Sequence, residues 1–170
     1  MSDDLSLRVA AVTQDSAVDG PGLRLAVFTQ GCPRSCPGCH NPKTQDPGGG
    51  YDTTAGAVLR EVRRNPLLAG VTFSGGEPFL QPSPLAAIAR AVKARGLTVW
   101  VYSGFLFEEL LDLPGARELL EVCDVLVDGP FEQSKKSYDL LWRGSANQRL
   151  IDLPASLRTG KAVELAIQTL

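Results

Sequence analysis

Short apolar runs recur along the chain, and turn-forming or polar residues bound each of them. Runs of this length that are rich in Val, Leu and Phe predict β-strands. The runs occupy residues 24–30, 71–74, 97–102 and 124–128. Each interval between the last three runs is long enough for one helix, so the pattern predicts strands that alternate with helices.

Two segments between the predicted strands have apolar residues at helical spacing. Each set follows the pattern i, i+3, i+4, i+7, which places its members on one face of an α-helix. The sets are Ala55, Val58, Leu59 and Val62, and Leu85, Ile88, Ala89 and Val92. Gly96 is expected to end the second helix, because glycine is favoured just beyond a helix C-terminus. Both helices should therefore pack their apolar faces on the sheet.

The order of these elements predicts an α/β fold with a parallel sheet and helices outside it. Short connections and right-handed crossovers favour that arrangement. The chain has 170 residues, which is too few for a complete eight-stranded barrel of about 250 residues. We therefore expect an incomplete, TIM-like βα barrel that is open on one side.

Candidate site residues follow the predicted strands directly. In parallel α/β sheets the ligand site lies at the carboxyl ends of the strands. A cysteine loop (residues 31–42) follows the first strand, a glycine turn (residues 75–78) follows the second, Ser103 follows the third, and Asp128 ends the fourth. We expect these groups to converge at one edge of the sheet. Two interpretations of Asp128 stay open: a buried strand-end carboxylate, or a polar contact in the open face.

Three cysteines lie in the cysteine loop with the spacing C-x3-C-x2-C. They are Cys32, Cys36 and Cys39. A cluster of four irons usually takes four cysteine ligands, so three thiolates leave one iron open to a small molecule. Cys123 continues a helical apolar pattern and is expected to be a buried core residue, not a fourth ligand.

A structural zinc site is the alternative interpretation of the same loop, with His40 as the fourth ligand. Structural zinc ligands usually come as two separated pairs, whereas adjacent Cys39 and His40 would strain to share one tetrahedron. The Gly-Gly-Glu-Pro sequence of the glycine turn favours a cluster, because glycine backbone at the end of a strand has no side chains and can approach a ligand closely. That turn is a weak signal alone and a strong one beside the cysteine loop.

Together the two motifs resemble the radical S-adenosylmethionine superfamily, in which such a loop holds a 4Fe-4S cluster. Further segments are similar to the activating enzymes of glycyl-radical proteins, and some to the branch that activates the anaerobic ribonucleoside-triphosphate reductase. The first group covers residues 19–24, 28–32 and 39–42, and the second covers 100–105, 124–131 and 143–149. The resemblance extends over about residues 8–151, so we expect one radical S-adenosylmethionine domain over residues 1–170.

The resemblance implies the ligands and the chemistry. The three cysteines would bind one 4Fe-4S cluster, which an electron donor such as flavodoxin would reduce. The reduced cluster would cleave S-adenosylmethionine to methionine and a 5′-deoxyadenosyl radical, and that radical would remove a hydrogen atom from a glycine in the large subunit of the reductase. No catalytic side chain is expected beyond the cluster and the cofactor.

The resemblance also implies which residues meet the cofactor. They are Gly38, Cys39, His40, Gly75, Gly76, Glu77, Pro78, Ser103 and Asp128. Within that set, the two glycines of the turn would leave room for the methionyl end, and Glu77 would accept a charge-assisted hydrogen bond from its ammonium. Gly38 is small where the superfamily often has an aromatic residue, which leaves the adenine contact to backbone or to His40.

Composition and charge limit the remaining function classes. A hydrophobic content of 44% excludes a disordered tail. The net charge of −2 provides no basic field, so direct binding of nucleic acid is not expected. The first residues are acidic and no apolar run approaches about 20 residues, so the sequence predicts neither a signal peptide nor a membrane span. We expect a cytoplasmic protein whose thiols stay reduced.

Two other functions stay open. Another small radical enzyme, such as a different glycyl-radical activase or a 7-carboxy-7-deazaguanine synthase-like enzyme, would share the two motifs but not the segment 143–149. The non-enzymatic alternative is a zinc- or cluster-stabilised module that binds a partner.

Overall fold

The computed structural model of the protein describes residues 2–166. Its strands are β1 (Ser6–Ser16), β2 (Arg24–Thr29), β3 (Tyr51–Thr54), β4 (Gly70–Gly75), β5 (Thr98–Tyr102), β6 (Val125–Asp128) and β7 (Arg149–Asp152). Its α-helices are α1 (Ala55–Arg64), α2 (Pro82–Lys93), α3 (Phe107–Asp112), α4 (Ala116–Leu120) and α5 (Leu153–Thr159). None of the helices in this part of the chain combines the length and the apolar character that crossing a bilayer requires.

All the strands belong to one sheet, in the order β3-β1-β2-β4-β5-β6-β7. The four central strands, β2, β4, β5 and β6, are parallel to one another and correspond to the four predicted runs. Within residues 2–166 the sheet ends at β3 on one side and at β7 on the other and does not close. The predicted α/β fold with an incomplete βα barrel is confirmed.

Three strands that the apolar pattern did not predict extend the parallel sheet. β1 pairs antiparallel with β2, β3 pairs antiparallel with β1, and β7 pairs antiparallel with β6. In β1 the buried positions are confined to its first half, and β3 and β7 have four residues each. Such short or one-sided edge strands have weak periodicity, which explains why the sequence pattern missed them.

The main core lies between the sheet and helices α1, α2 and α4. Every member of the two predicted apolar sets is buried there, which confirms the faces predicted for α1 and α2. The side chain of Thr54 caps α1 by accepting from the N–H of Ala57, and Gly96 follows the last turn of α2 with a positive φ of 75°. Cys123 is also in this core at 3% exposure, as its apolar spacing predicted.

Arg24 ties together the amino ends of the central strands. It is fully buried at the start of β2, where it donates to the Thr72 hydroxyl at 2.7 Å, the Thr98 hydroxyl at 3.0 Å and the Val71 carbonyl at 2.9 Å. Burial lowers the pKa of its guanidinium to about 10. These bonds satisfy the buried cation and fix the strands at the end opposite the candidate site.

Candidate active site

A cavity of about 390 Å³ lies at the carboxyl ends of the central strands. This is the edge at which the predicted site residues were expected to converge. Those that line it are Cys32, Cys36, Cys39, His40, Gly75, Gly76 and Ser103. Gly38, Glu77, Pro78 and Asp128 are not among the lining residues. The structure therefore brings the cysteine loop and the backbone of the glycine turn to one space.

The cysteine loop is anchored at its base by backbone hydrogen bonds. Gly31 N–H donates to the Thr44 carbonyl at 2.7 Å, and Cys32 N–H donates to the Gln45 carbonyl at 3.1 Å. All three loop cysteines are free thiols of intermediate burial. Burial raises the pKa of the Cys32 thiol, and a hydrogen bond from the backbone of Arg34 acts in the opposite direction.

The donor set of the cavity fits an iron–sulfur cluster. It includes three thiols from one loop and the neighbouring His40 imidazole, while Cys123 lies in the core, where burial raises the pKa of its thiol. Within residues 2–166, no three His, Cys, Asp or Glu side chains are grouped around a point that a single ion would occupy. In a four-iron cluster each thiolate binds a different iron, so the ligands stand farther apart than those of a single ion.

The glycine turn packs directly on the start of the cysteine loop. Gly75 has a φ of +93°, and a Cβ there would lie 2.6 Å from the backbone nitrogen of Thr29. A Cβ on Gly76 would lie 2.3 Å from the carbonyl oxygen of Gly31. Real Cβ atoms do not approach backbone so closely, so both positions require glycine. One side of the turn thus borders the cavity, and its other side is filled by protein backbone.

The Glu77 carboxylate is fully buried and supports the loop that follows β5. It accepts from the Ser103 hydroxyl at 3.0 Å, Gly104 N–H at 2.9 Å and Phe79 N–H at 3.1 Å. Burial raises its pKa from 4.5 to about 7, against the effect of these donors. The expected contact with a ligand's ammonium stays a prediction, because the carboxylate is engaged by the protein and is not part of the cavity surface.

Asp128 is a buried carboxylate at the end of β6, which agrees with the first of the two interpretations given above and not with a polar contact in the open face. It is fully buried and accepts from Arg149 Nε at 3.0 Å and from Phe107 N–H at 2.8 Å. Arg149 also pairs with Glu108 at 2.8 Å, and the two carboxylates raise its pKa further. Asp128 therefore joins β6 to β7 and to the start of α3 from outside the cavity.

His40 and Gly38 lie at the outer edge of the cysteine loop. The His40 ring is tilted by 48° against Phe131, with 4.9 Å between the ring centroids. A Cβ on Gly144 would lie 3.4 Å from Cε1 of His40. A Cβ on Gly38 would meet the Gln133 side chain at 2.9 Å. Both loop residues thus contact the segment that follows β6, and their adenine contacts stay predictions.

Comparison with known proteins identifies the family. The family described as "4Fe-4S single cluster domain" matches residues 18–151. An anaerobic ribonucleoside-triphosphate reductase-activating protein from Pasteurella multocida is 36% identical over 140 residues, which are 77% of this chain and 88% of that protein. Proteins of the same name from Escherichia coli K12 and phage T4 are 33% and 34% identical, over 77% and 78% of this chain and 89% and 86% of their own.

The chain belongs to this family of anaerobic ribonucleoside-triphosphate reductase-activating proteins. The resemblance to the branch that activates the anaerobic ribonucleoside-triphosphate reductase is confirmed. The crystal structure of QueE from Escherichia coli is a weaker match, with 15% identity, a TM-score of 0.49 and coverage of 58% of this chain and 52% of that one.

Several cavity residues of this activating-protein family member were missed by reasoning from the sequence. They include Phe28, Arg34, Tyr102, Phe131, Trp142 and Arg143. The Tyr102 hydroxyl donates to the Trp142 carbonyl at 2.8 Å, which ties the end of β5 to the segment before β7. The family-like segments 28–32, 100–105, 124–131 and 143–149 contain four of these residues, one in each segment. Nothing local distinguished Arg34 from a surface arginine.

Proposed function

We propose that this chain is an iron–sulfur activating enzyme that generates a glycyl radical on the large subunit of an anaerobic ribonucleoside-triphosphate reductase. In this proposal Cys32, Cys36 and Cys39 hold one 4Fe-4S cluster, and the cavity binds S-adenosylmethionine. The observation that carries it is the meeting of the three thiols and the glycine turn around one cavity, in a member of this activating-protein family.

The main role of the protein in this proposal is to position the cluster and the cofactor, and its side chains take little part in the chemistry. Its three thiolates would fix the cluster and leave one iron without a protein ligand. The cluster, when bound and reduced, supplies the electron that cleaves the sulfonium bond of S-adenosylmethionine. Gly75 and Gly76 offer backbone without side chains at the cavity surface, and Ser103, held by Glu77, fixes the wall beside them.

The size and openness of the cavity support a small cofactor together with a polypeptide substrate. Its volume of about 390 Å³ is within the usual range of small-molecule sites, about 300–1,000 Å³. The sheet does not close around it. Val18, which lines the cavity, is 77% exposed, so the rim of the site presents an apolar side chain at its outer surface. An entering protein loop would cover that surface.

The reduction of the cluster requires an electron donor, and flavodoxin remains our proposed donor. We also propose a cytoplasmic location, because the thiols must stay reduced to bind iron.

Anaerobic reconstitution tests the cofactor part of the proposal. We expect about four irons and four sulfides per chain, the number in one such cluster, and a brown protein. With a chemical reductant, the loaded protein should convert S-adenosylmethionine to methionine and 5′-deoxyadenosine. A colourless protein that binds zinc but no sulfide would contradict the proposal and favour the binding module. Robust turnover of a free small molecule would favour another radical enzyme.

A further inference from the structure

Arg34 places a cation inside the cysteine loop, two positions after Cys32 and two before Cys36. Its side chain lines the cavity together with the loop thiols. A Cβ on Gly104 would lie 2.6 Å from Cδ of Arg34, so the arginine stem packs on the backbone after β5. The guanidinium therefore lies between the cysteine loop and the wall that contains Ser103.

The Arg34 Nε atom is buried and has no hydrogen-bond partner among the described residues. Buried N–H groups in folded proteins nearly always donate to some acceptor. Here the N–H belongs to a cation that lines the cavity, so an acceptor that binds in the cavity would satisfy it. The sulfurs of an iron–sulfur cluster accept such hydrogen bonds, and those bonds tune the cluster.

The protein compensates little of the Arg34 charge. Glu109 Oε2 lies 3.4 Å from Nη2, and the Glu109 side chain is 50% exposed. A pair with that distance and exposure is weak and screened by water. The Phe105 ring is also close, with its centroid 4.8 Å from the guanidinium carbon. The buried Glu77 carboxylate is near enough for the Arg34 charge to oppose the burial that raises its pKa, but the two side chains form no ion pair. None of these contacts neutralises the guanidinium by a close, buried ion pair, so positive charge remains available to a cluster held by the three thiolates.

We propose that Arg34 is a positioning residue that raises the reduction potential of the cluster held by Cys32, Cys36 and Cys39. Reduction adds one negative charge to the cluster, and a fixed cation nearby stabilises the reduced form more than the oxidised form. This inference rests on the proposed function, because it requires that the loop binds a cluster. A purely structural role for Arg34 would affect loading or stability but not the potential.

Redox titration of the loaded protein tests the inference. The midpoint potential is measured without S-adenosylmethionine, from the electron paramagnetic resonance signal of the reduced cluster, in mediators under anaerobic conditions. We expect Arg34→Gln to lower the midpoint potential and Arg34→Lys, which keeps the charge, to remain near the unmodified protein. Arg117→Gln is the matched control, since it removes an equal charge from a side chain that is 70% exposed and does not line the cavity.

Glu109→Gln tests the same idea without altering the cysteine loop. It removes the partial counter-charge of Arg34, so the midpoint potential should rise. The amide oxygen can still accept the hydrogen bond that Glu109 accepts from Leu106 N–H at the start of α3. This variant also decides the question if Arg34→Gln fails to load a cluster.

Equal midpoint potentials in the unmodified protein, Arg34→Gln and Glu109→Gln at equal iron content would overturn the inference and leave the proposed function intact. A fall in Arg34→Lys as large as in Arg34→Gln would also overturn it, because charge would then not be the cause. An unmodified protein that binds no iron and sulfide would overturn both the inference and the proposed function.

Discussion

The backbone N–H of Glu77 donates to the carbonyl oxygen of Gly31 across 2.8 Å. This bond joins the glycine turn to the residue that immediately precedes the first loop cysteine. The Glu77 side chain extends the connection to Ser103 and Gly104 at the end of β5. Three strand ends are thus held by one residue, and the cysteine loop and the glycine turn form a single unit.

Substitution of Gly76 should damage the cluster site as well as the cofactor site. In Gly76→Ala the added Cβ would meet the Gly31 carbonyl at 2.3 Å, so the turn must move away from the cysteine loop. We expect a loss of stability of about 3 kcal/mol and a clear fall in iron per chain. Thermal unfolding and iron analysis measure both effects.

Gly96→Asn is the control for that substitution. Gly96 also has a positive φ, but a Cβ there meets no atom within 4 Å, and asparagine tolerates this conformation. Its iron content should be unchanged. A Gly76→Ala protein with full iron and normal stability would show that the contact with Gly31 is not needed.

Alanine substitutions should distinguish the three cysteines that bind the cluster from the one that lies in the core. Cys32→Ala, Cys36→Ala and Cys39→Ala should each prevent stable cluster assembly, because each removes a thiolate that lines the cavity. Cys123→Ala should retain the cluster and cost about 1 to 2 kcal/mol of packing. Iron and sulfide per chain give the answer. Normal iron in Cys36→Ala, together with its loss in Cys123→Ala, would reverse the assignment.

Asp128→Asn should reduce stability and leave the affinity for S-adenosylmethionine unchanged. The substitution removes the buried charge that accepts from Arg149, whose side chain is 26% exposed, so we expect a loss of about 2 kcal/mol. Glu108→Gln removes the exposed partner of the same arginine and should cost less than about 1 kcal/mol. Denaturant unfolding and calorimetry measure the two properties. Lost affinity at unchanged stability would instead place Asp128 in the cofactor site.

Glu77 should make the cluster-free protein less stable as the pH rises. Burial raises the pKa of its carboxyl from 4.5 to about 7, so between these values the folded state binds more protons than the unfolded state. The associated stability is complete below the lower pKa and is lost as the pH rises through the higher one, by about 3 kcal/mol in total.

Glu77→Gln should remove this dependence. The free energy of unfolding of the unmodified protein minus that of the variant should fall steadily from pH 5 to pH 8. All other titrating groups are shared, so they cancel in that difference. A constant difference over the whole range would mean that Glu77 titrates normally in the folded protein.

The sequence predicted the elements that have strong periodicity and the motifs that are local. The four central strands, the buried faces of α1 and α2, and the core position of Cys123 all follow from apolar spacing. The contact between Glu77 and Gly31 joins residues that are far apart in the chain, and no local pattern encodes it. For the same reason the sequence left Asp128 undecided, since its partner Arg149 arrives with the antiparallel strand β7.

Deuterium transfer from the reductase tests the central claim most directly. The loaded protein is mixed anaerobically with S-adenosylmethionine, a reductant and a reductase whose glycines are deuterated at the α-carbon. We predict a glycyl radical on the reductase by electron paramagnetic resonance, and deuterium in the 5′-deoxyadenosine that is formed. Cleavage of S-adenosylmethionine without deuterium in the 5′-deoxyadenosine and without a glycyl radical would contradict the account.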